Sequence, residues 1–342
     1  MLQCFALQKK LRDLGHEVFL IKYHQENGIL ESSLRKKFKS TSNTSKIPVP
    51  KANKPDRKFE QFRQKYIAAS PALYTSLQQL QDYPPDADIY IVGSDQVWNF
   101  WNVPVAVCKN FIHTYFLDFG GEATRRISYA ASWGRTEIAD DEIAEITPLL
   151  KRFDYVSVRE ESGVTLCQKC GRNDAKWACD PTFLLPPKTY RDLYNDNAVR
   201  QLDSKYLLLH MLNNPCACDT QSVYDFAAKR GLEVVYVTGN SLTDNRQKFY
   251  ATIPEWLYLI DNAEYVVTNS YHGGVFATIF HKQFGVAPLT GPAAGMNVRF
   301  ESMFERTGTG NRFVTNGNFD VLDQGYSTKA IPMDMQFWKM FQ

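Results

Sequence analysis

The sequence lacks the motifs that most readily identify an enzyme: no GxGxxG follows a strand-like run, and GxxxxGK[ST], HExxH and GxSxG are all absent. The simplest dehydrogenase, NTPase, zinc-protease and α/β-hydrolase readings fall with them. No apolar run approaches the roughly 18 residues that would span a bilayer, and the chain does not open with the charged-then-apolar design of a signal peptide. It is therefore expected to stay in the cytoplasm. A net charge of only +2 over 342 residues gives no bulk attraction to nucleic acid, and no such partner is expected. The seven cysteines are an odd number in a chain without a secretion signal, which argues for reduced thiols over a disulfide framework. Cys167 and Cys170 have zinc-knuckle spacing, but Cys216 and Cys218 have the wrong gap and lie far along the chain, so no metal is expected.

The sequence does contain the pattern of a parallel α/β protein. With 44% hydrophobic and 22% charged residues it reads as globular, and its length favours two domains of roughly 100–200 residues each. Strand-length apolar runs alternate with helix-patterned stretches: "EVFLIKY" (17–23), "DIYIVGS" (88–94), "RISYAAS" (126–132), "YVSVRE" (155–160) and "AKWACDP" (175–181) in the first half. A second set begins at "YLLLHML" (206–212) and continues through "LEVVYVT", "YVVTNS" and "FGVAPL", after a linker-like stretch at 184–204. We expect domains at 1–187 and 188–320, with a tail or helix at 321–342 packing back on the first. Residues 32–65 hold eleven Lys or Arg against Asp56 and Glu60. That segment reads either as a solvated insertion or as a basic flap meeting an anionic acceptor or membrane surface.

In open α/β sheets ligands sit outside the carboxyl ends of the strands, so the polar residues there are the candidates for chemistry. In "YVVTNSYHGGVFATIF" a strand hands over to a helix through His272, Gly273 and Gly274. Glycines would let the backbone approach a ligand, and the helix N-terminus would favour an anion. His272 would donate a hydrogen bond or move a proton beside it; the alternative is an ordinary helix start. Arg159 is a second strand-end cation, able to meet a carboxylate or phosphate through two parallel bonds or to pair with a neighbouring acid. Arg299 follows a polar loop. Asp95, Gln96, Trp98 and Asn99 in "IVGSDQVWNFWN" form a candidate sugar platform of carboxylate, amides and an indole face, although Trp98 and Trp101 are equally compatible with a core.

Taken in order, "LQCFALQKKLRDLGHEVFLIKY", "DADIYIVGSDQVWN", "YFLDF", "RISYAASWG", "YVSVREESG", "CDPTFLL", "YVVTNSYHGGVFATIFHKQF" and "MNVRFESMFERTG" resemble the polysaccharide pyruvyl transferase family. The resemblance implies two Rossmann-like domains of the glycosyltransferase-B kind facing a cleft. It implies transfer of pyruvate from phosphoenolpyruvate, as co-substrate and without a cofactor, to a sugar as a ketal, on the inner face of a bacterial membrane where the acceptor can be lipid-linked. Carried over, it matches the family's functional arginine to Arg159 and its histidine to His272; with the residues read above, Ser270, Gly273, Gly274, Asn297 and Arg299 join them on the donor side. Ser94, Asp95, Gln96, Trp98, Asn99 and Ser132 fall on the acceptor side, with His272, Arg159 and Asp95 as the catalytic set. The lysine that many members carry after the following strand is absent from "PLTGPAAGMNVRF", which leaves Arg299 nearest. Members also begin with a strand and a glycine-containing loop, whereas this chain opens with "MLQCFALQ", so the first strand is expected to be missing. A nucleotide-sugar glycosyltransferase of the same fold and a non-catalytic carbohydrate-binding relative are the alternatives.

Overall fold

Apolar residues at helical spacing form the first element, α1 (Leu2–Asp13), which buries Leu2, Phe5, Ala6 and Leu11. In the computed structural model, residues 1–24, 56–100, 103–197, 199, 202, 204–212, 215–238, 246–331 and 334–341 are described. Trp101 and residues 32–55 of the basic segment lie outside them. Contacts divide the chain into two units: Met1–Asn53, Tyr66–Pro181 and Asp334–Gln342 in one, Lys54–Lys65 and Thr182–Met333 in the other. The end of the basic segment therefore groups with the second unit.

In the first unit β1 (Leu20–Tyr23) pairs in parallel with β2 (Ala69–Tyr74); α2 (Phe59–Tyr66), which precedes β2 in the chain, groups up to Lys65 with the second unit. The remaining strands form a separate parallel sheet of β3 (Ile89–Gly93), β4 (Arg125–Ala131), β5 (Tyr155–Val158) and β6 (Lys176–Trp177), in that spatial order. Helices α3 (Leu77–Asp82), α4 (Val105–Tyr115), α5 (Asp140–Leu150) and α6 (Glu161–Lys169) alternate with the strands. Fully buried Trp98 stacks on Phe116 at 4.6 Å and meets Trp133 edge-on at 5.3 Å. Aromatic side chains of this size bury about 150–250 Å² each, worth roughly 4–6 kcal/mol apiece at about 25 cal/mol per Å².

The second unit opens with α7 (Pro187–Asn195), where the sequence reads as a linker. Proline in the first turn starts this helix, and Tyr190, Leu193 and Tyr194, spaced three and four apart, bury one face of it. There follow β7 (Tyr206–His210), α8 (Thr220–Ala228), β8 (Glu233–Val237), α9 (Ile253–Asp261), β9 (Tyr265–Thr268), α10 (Tyr271–Ile279), β10 (Gln283–Val286) and α11 (Val298–Thr307). The sheet is parallel, in the order β10-β9-β7-β8. All of β7 is buried, as its continuous apolar run requires of a strand covered on both faces. From β7 the chain moves to β8 on one side, then returns past β7 to β9 on the other. The carboxyl ends of β7 and β9 thus flank a topological switch point, the place where such sheets leave a crevice.

The last helix, α12 (Met335–Lys339), counts with the first unit, where Phe337 packs on Tyr129 at 4.5 Å and Tyr155 at 5.5 Å. Among the described residues no helix is long and apolar enough to cross a membrane.

Candidate functional site at the strand ends

At the switch point His210, the last residue of β7, stands opposite Thr268, the last of β9. The Thr268 hydroxyl donates to the His210 carbonyl at 2.7 Å and accepts from the Ser270 amide at 3.0 Å, which turns the chain from strand into helix. Ser270 is the N-cap of α10, its hydroxyl accepting from the Gly273 amide at 3.4 Å. Asn269 accepts from the Leu212 amide at 2.6 Å and donates to its carbonyl at 3.1 Å, tying down the chain after β7. The polar run "TNS" is thus engaged in building the helix start.

The two glycines serve packing. A Cβ on Gly273 would stand 2.5 Å from Thr268 Oγ1 and 3.1 Å from His210 Nδ1, and one on Gly274 would stand 3.1 Å from Met303 Cε of α11. They let α10 sit against the strand ends and against α11. His272 is half-buried in the first turn, edge-on to Tyr271 at 5.3 Å. Arg299 is buried, donates from Nε to the Met296 carbonyl at 3.0 Å and holds its guanidinium 5.8 Å from the Tyr271 ring. Asn297 exchanges two bonds with the Leu289 backbone, accepting from its amide at 2.8 Å and donating to its carbonyl at 2.9 Å. It closes the loop that delivers Arg299. The second unit therefore gathers His272, Arg299 and the positive end of α10, an arrangement suited to an oxyanion.

His210 is a residue that the strand-to-helix motif does not include. Burial, then the charges of Arg57 and His272, push its pKa down to about 3, so the ring is neutral at physiological pH. Its only signal in the sequence is its place at the end of an apolar run.

In the first unit, Ser94, Asp95, Gln96, Asn99 and Ser132 come together at the ends of β3 and β4. A Cβ on Gly93 would lie 2.0 Å from the Tyr129 carbonyl oxygen, so only glycine fits beside the irregular register of β4. Ser94 follows with φ of 55°, a left-handed conformation that costs a residue with a side chain about 1–2 kcal/mol. Several bonds hold it there: its hydroxyl donates to Asp180 at 2.8 Å, its carbonyl accepts from Arg159, and the next carbonyl, that of Asp95, accepts from the Ser132 amide at 3.1 Å. Asp95 is left exposed, one carboxylate oxygen accepting from the Gln96 amide at 2.8 Å and the other from Gln3 at 3.4 Å. Asn99 donates to the Gln96 side chain at 2.8 Å.

Two expectations change here. Trp98 is fully buried and its Nε1 donates to the Tyr115 carbonyl at 3.0 Å, so its indole has no face left for a sugar. Arg159, only 3% exposed, is paired with Glu160 at 3.3 Å and with Asp180 at 3.1 Å. Glu160 in turn accepts from the Ser132 hydroxyl at 2.6 Å and the Trp133 amide at 3.1 Å. The Arg159 charge is thus met within the protein, and the arginine braces the Ser94–Asp95 turn.

Among the described residues no group of His, Cys, Asp or Glu is arranged to hold a metal ion. Burial pushes the Cys167 thiol up to about 12 and the Cys170 thiol up to about 11, which keeps both protonated.

Two parallel α/β units of Rossmann kind, each with its polar residues at strand ends, define the GT-B class of fold. UDP-GlcNAc 2-epimerase from Methanocaldococcus jannaschii, in complex with UDP-GlcNAc and UDP, shares it at a TM-score of 0.51 and 12% identity, over 94% of this chain and 98% of that one. A second structure of the enzyme from that organism aligns at 11% identity and a TM-score of 0.48, over 91% and 94% of the two chains. The enzyme from Neisseria meningitidis, bound to UDP-GlcNAc, aligns at 11% and 0.45, over 94% and 86%. At 12% identity the first of these likenesses is one of fold. The family model for polysaccharide pyruvyl transferase matches residues 1–286, and the chain belongs to that family, whose members are transferases that act on polysaccharide. No curated protein matches the sequence.

Proposed function

We propose that the protein transfers the pyruvyl group of phosphoenolpyruvate to a sugar of a surface polysaccharide or its lipid-linked precursor. The observation that carries this reading is the family match over residues 1–286. In the reaction a proton adds to the methylene carbon, two sugar hydroxyls form bonds to the central carbon, and the phosphate–carbon bond breaks. One hydroxyl proton balances the new methyl group and the other leaves with phosphate. The product is a ketal.

The second unit takes the donor. Phosphoenolpyruvate carries a carboxylate and a phosphate, and Arg299 with the α10 N-terminus supplies the counter-charge. His272 moves the proton to the methylene carbon or to the departing phosphate. In the first unit Asp95, exposed on a braced turn, takes the sugar hydroxyl proton, with Gln96, Asn99 and the backbone of Ser94 and Ser132 shaping the platform around it. Arg159 acts through that turn as a positioning residue.

Thermal unfolding with added ligand tests the assignment, because a ligand that binds only the native state raises the midpoint. Phosphoenolpyruvate at millimolar concentration is expected to raise it, and UDP-GlcNAc to leave it unchanged. The opposite pattern would replace this reading with a nucleotide-sugar glycosyltransferase.

A further inference from the structure

The site in the second unit holds two donors that come from outside the strand-to-helix motif. The first is His210, at the switch point and only 7% exposed. Trp256 Nε1, on α9, donates to His210 Nδ1 at 3.3 Å. Indole nitrogen can only donate, so Nδ1 is the acceptor and the single proton of the neutral ring sits on Nε2. The Thr268 hydroxyl oxygen lies farther from Nδ1, at 3.5 Å, and already accepts from the Ser270 amide at 3.0 Å, so the closer Trp256 donor sets the tautomer. Among the described residues the Nε2–H has no acceptor. The ring that carries it lies against the first turn of α10, where a Gly273 Cβ would stand 3.1 Å from Nδ1.

The second is Arg57, in the part of the chain that groups with the second unit. Its Nε donates to the Ala251 carbonyl at 2.8 Å and its guanidinium lies 4.5 Å over the Phe59 ring. Ala251 directly precedes Thr252, the N-cap of α9, so one helix start positions both Arg57 and the Trp256 that orients His210. Among the described residues the two terminal nitrogens of Arg57 have no acceptor and no carboxylate pairs with it. Its charge, like that of His272, acts at His210. A half-buried guanidinium with an open fork, next to a neutral N–H donor and a helix N-terminus, is complementary to a phosphoryl or carboxyl group.

We infer that Arg57 and His210 complete the anion site at the α10 N-terminus, Arg57 as a second guanidinium and His210 as a neutral donor through Nε2–H. That the anion belongs to phosphoenolpyruvate rests on the function proposed above; that an oxyanion binds through these two residues does not.

Calorimetric titration of the full chain with phosphoenolpyruvate, and separately with inorganic phosphate, tests it on wild type, Arg57→Gln, His210→Leu and His210→Gln. Arg57→Gln is expected to weaken binding of both probes at least about tenfold, the loss of one charge-assisted contact, without lowering the unfolding midpoint. His210→Leu should weaken it similarly, and His210→Gln, which restores a donor near Nε2, should recover most of it. Because His210→Leu also strands the Trp256 N–H, Arg57→Gln decides the matter if that variant does not fold. Phosphate binding that depends on Arg57, without turnover of phosphoenolpyruvate, would uphold this inference and remove the proposed donor. Unchanged binding in Arg57→Gln would overturn the inference and leave the donor assignment standing. Failure of wild type to bind either probe would overturn it as well.

Discussion

Gly273 and Thr268 stand so close that a single added carbon on the glycine would lie 2.5 Å from the threonine hydroxyl. That hydroxyl cannot retreat, since it bridges the His210 carbonyl and the Ser270 amide. Gly273→Ala should therefore destabilise the protein by about 1–3 kcal/mol, as overpacking does. Gly274→Ala meets the flexible end of Met303 at 3.1 Å and Val286 Cγ2 at an ordinary contact distance of 3.5 Å, and should change stability by less than about 1 kcal/mol. Urea unfolding of the two variants checks the contrast.

Stability should fall on the acid side because of His210. Burial holds its folded pKa at about 3, below the ordinary value of about 6.5, so in this window the unfolded chain binds more protons than the native one. The stabilisation is fully present above pH 6.5 and is lost as pH falls toward 3, by up to about 1.4 kcal/mol per pH unit. Unfolding midpoints between pH 4 and 7 should slope steeply in wild type and less so in His210→Gln. Parallel slopes would show that other groups set the acid limb.

Removing Arg159 leaves Glu160 and Asp180, both without solvent exposure, as uncompensated buried carboxylates. Arg159→Ala should cost about 3–5 kcal/mol. If Arg159 braces the Ser94–Asp95 turn and does not bind the donor, Arg159→Lys should keep donor affinity while slowing transfer. Donor binding and turnover measured on the same preparation separate the two roles.

Much of the fold was legible in the sequence because buried parallel strands write themselves as unbroken apolar runs: "YLLLH" and "YVVT" are β7 and β9. β2 was not, since "ASPALY" carries a proline and buries only Ser70 and Tyr74. Nor was α7, where paired prolines and polar residues read as a linker although Tyr190, Leu193 and Tyr194 supply its buried face. At the site, the strand-to-helix junction could be found from local chemistry, but the direction in which Arg159 and Trp98 turn depends on partners distant in sequence, Asp180 and Phe116. Arg57 and His210 lie 153 positions apart, and only the fold brings the charge of one to act on the other.

Trp98 offers a check on the acceptor side. As a core residue stacked on Phe116, it should tolerate Trp98→Phe with a cavity cost of a few kcal/mol and no change in acceptor affinity. Asp95→Asn, on the exposed turn, should slow transfer by about 10²–10⁴ with little effect on stability. Steady-state rates against acceptor concentration distinguish the two.

The central claim is that His272 moves a proton while phosphoenolpyruvate passes its pyruvyl group to a sugar and releases phosphate. The protein should be incubated with phosphoenolpyruvate and a lipid-linked saccharide fraction, with phosphate release measured against the pyruvyl mass gain of the saccharide. Equimolar release and gain are predicted, falling by about 10²–10⁴ in a His272→Ala variant that keeps the wild-type unfolding midpoint. Near-normal transfer by that variant, or a saccharide that gains a hexosyl group from a nucleotide-sugar while phosphoenolpyruvate stays intact, would contradict it.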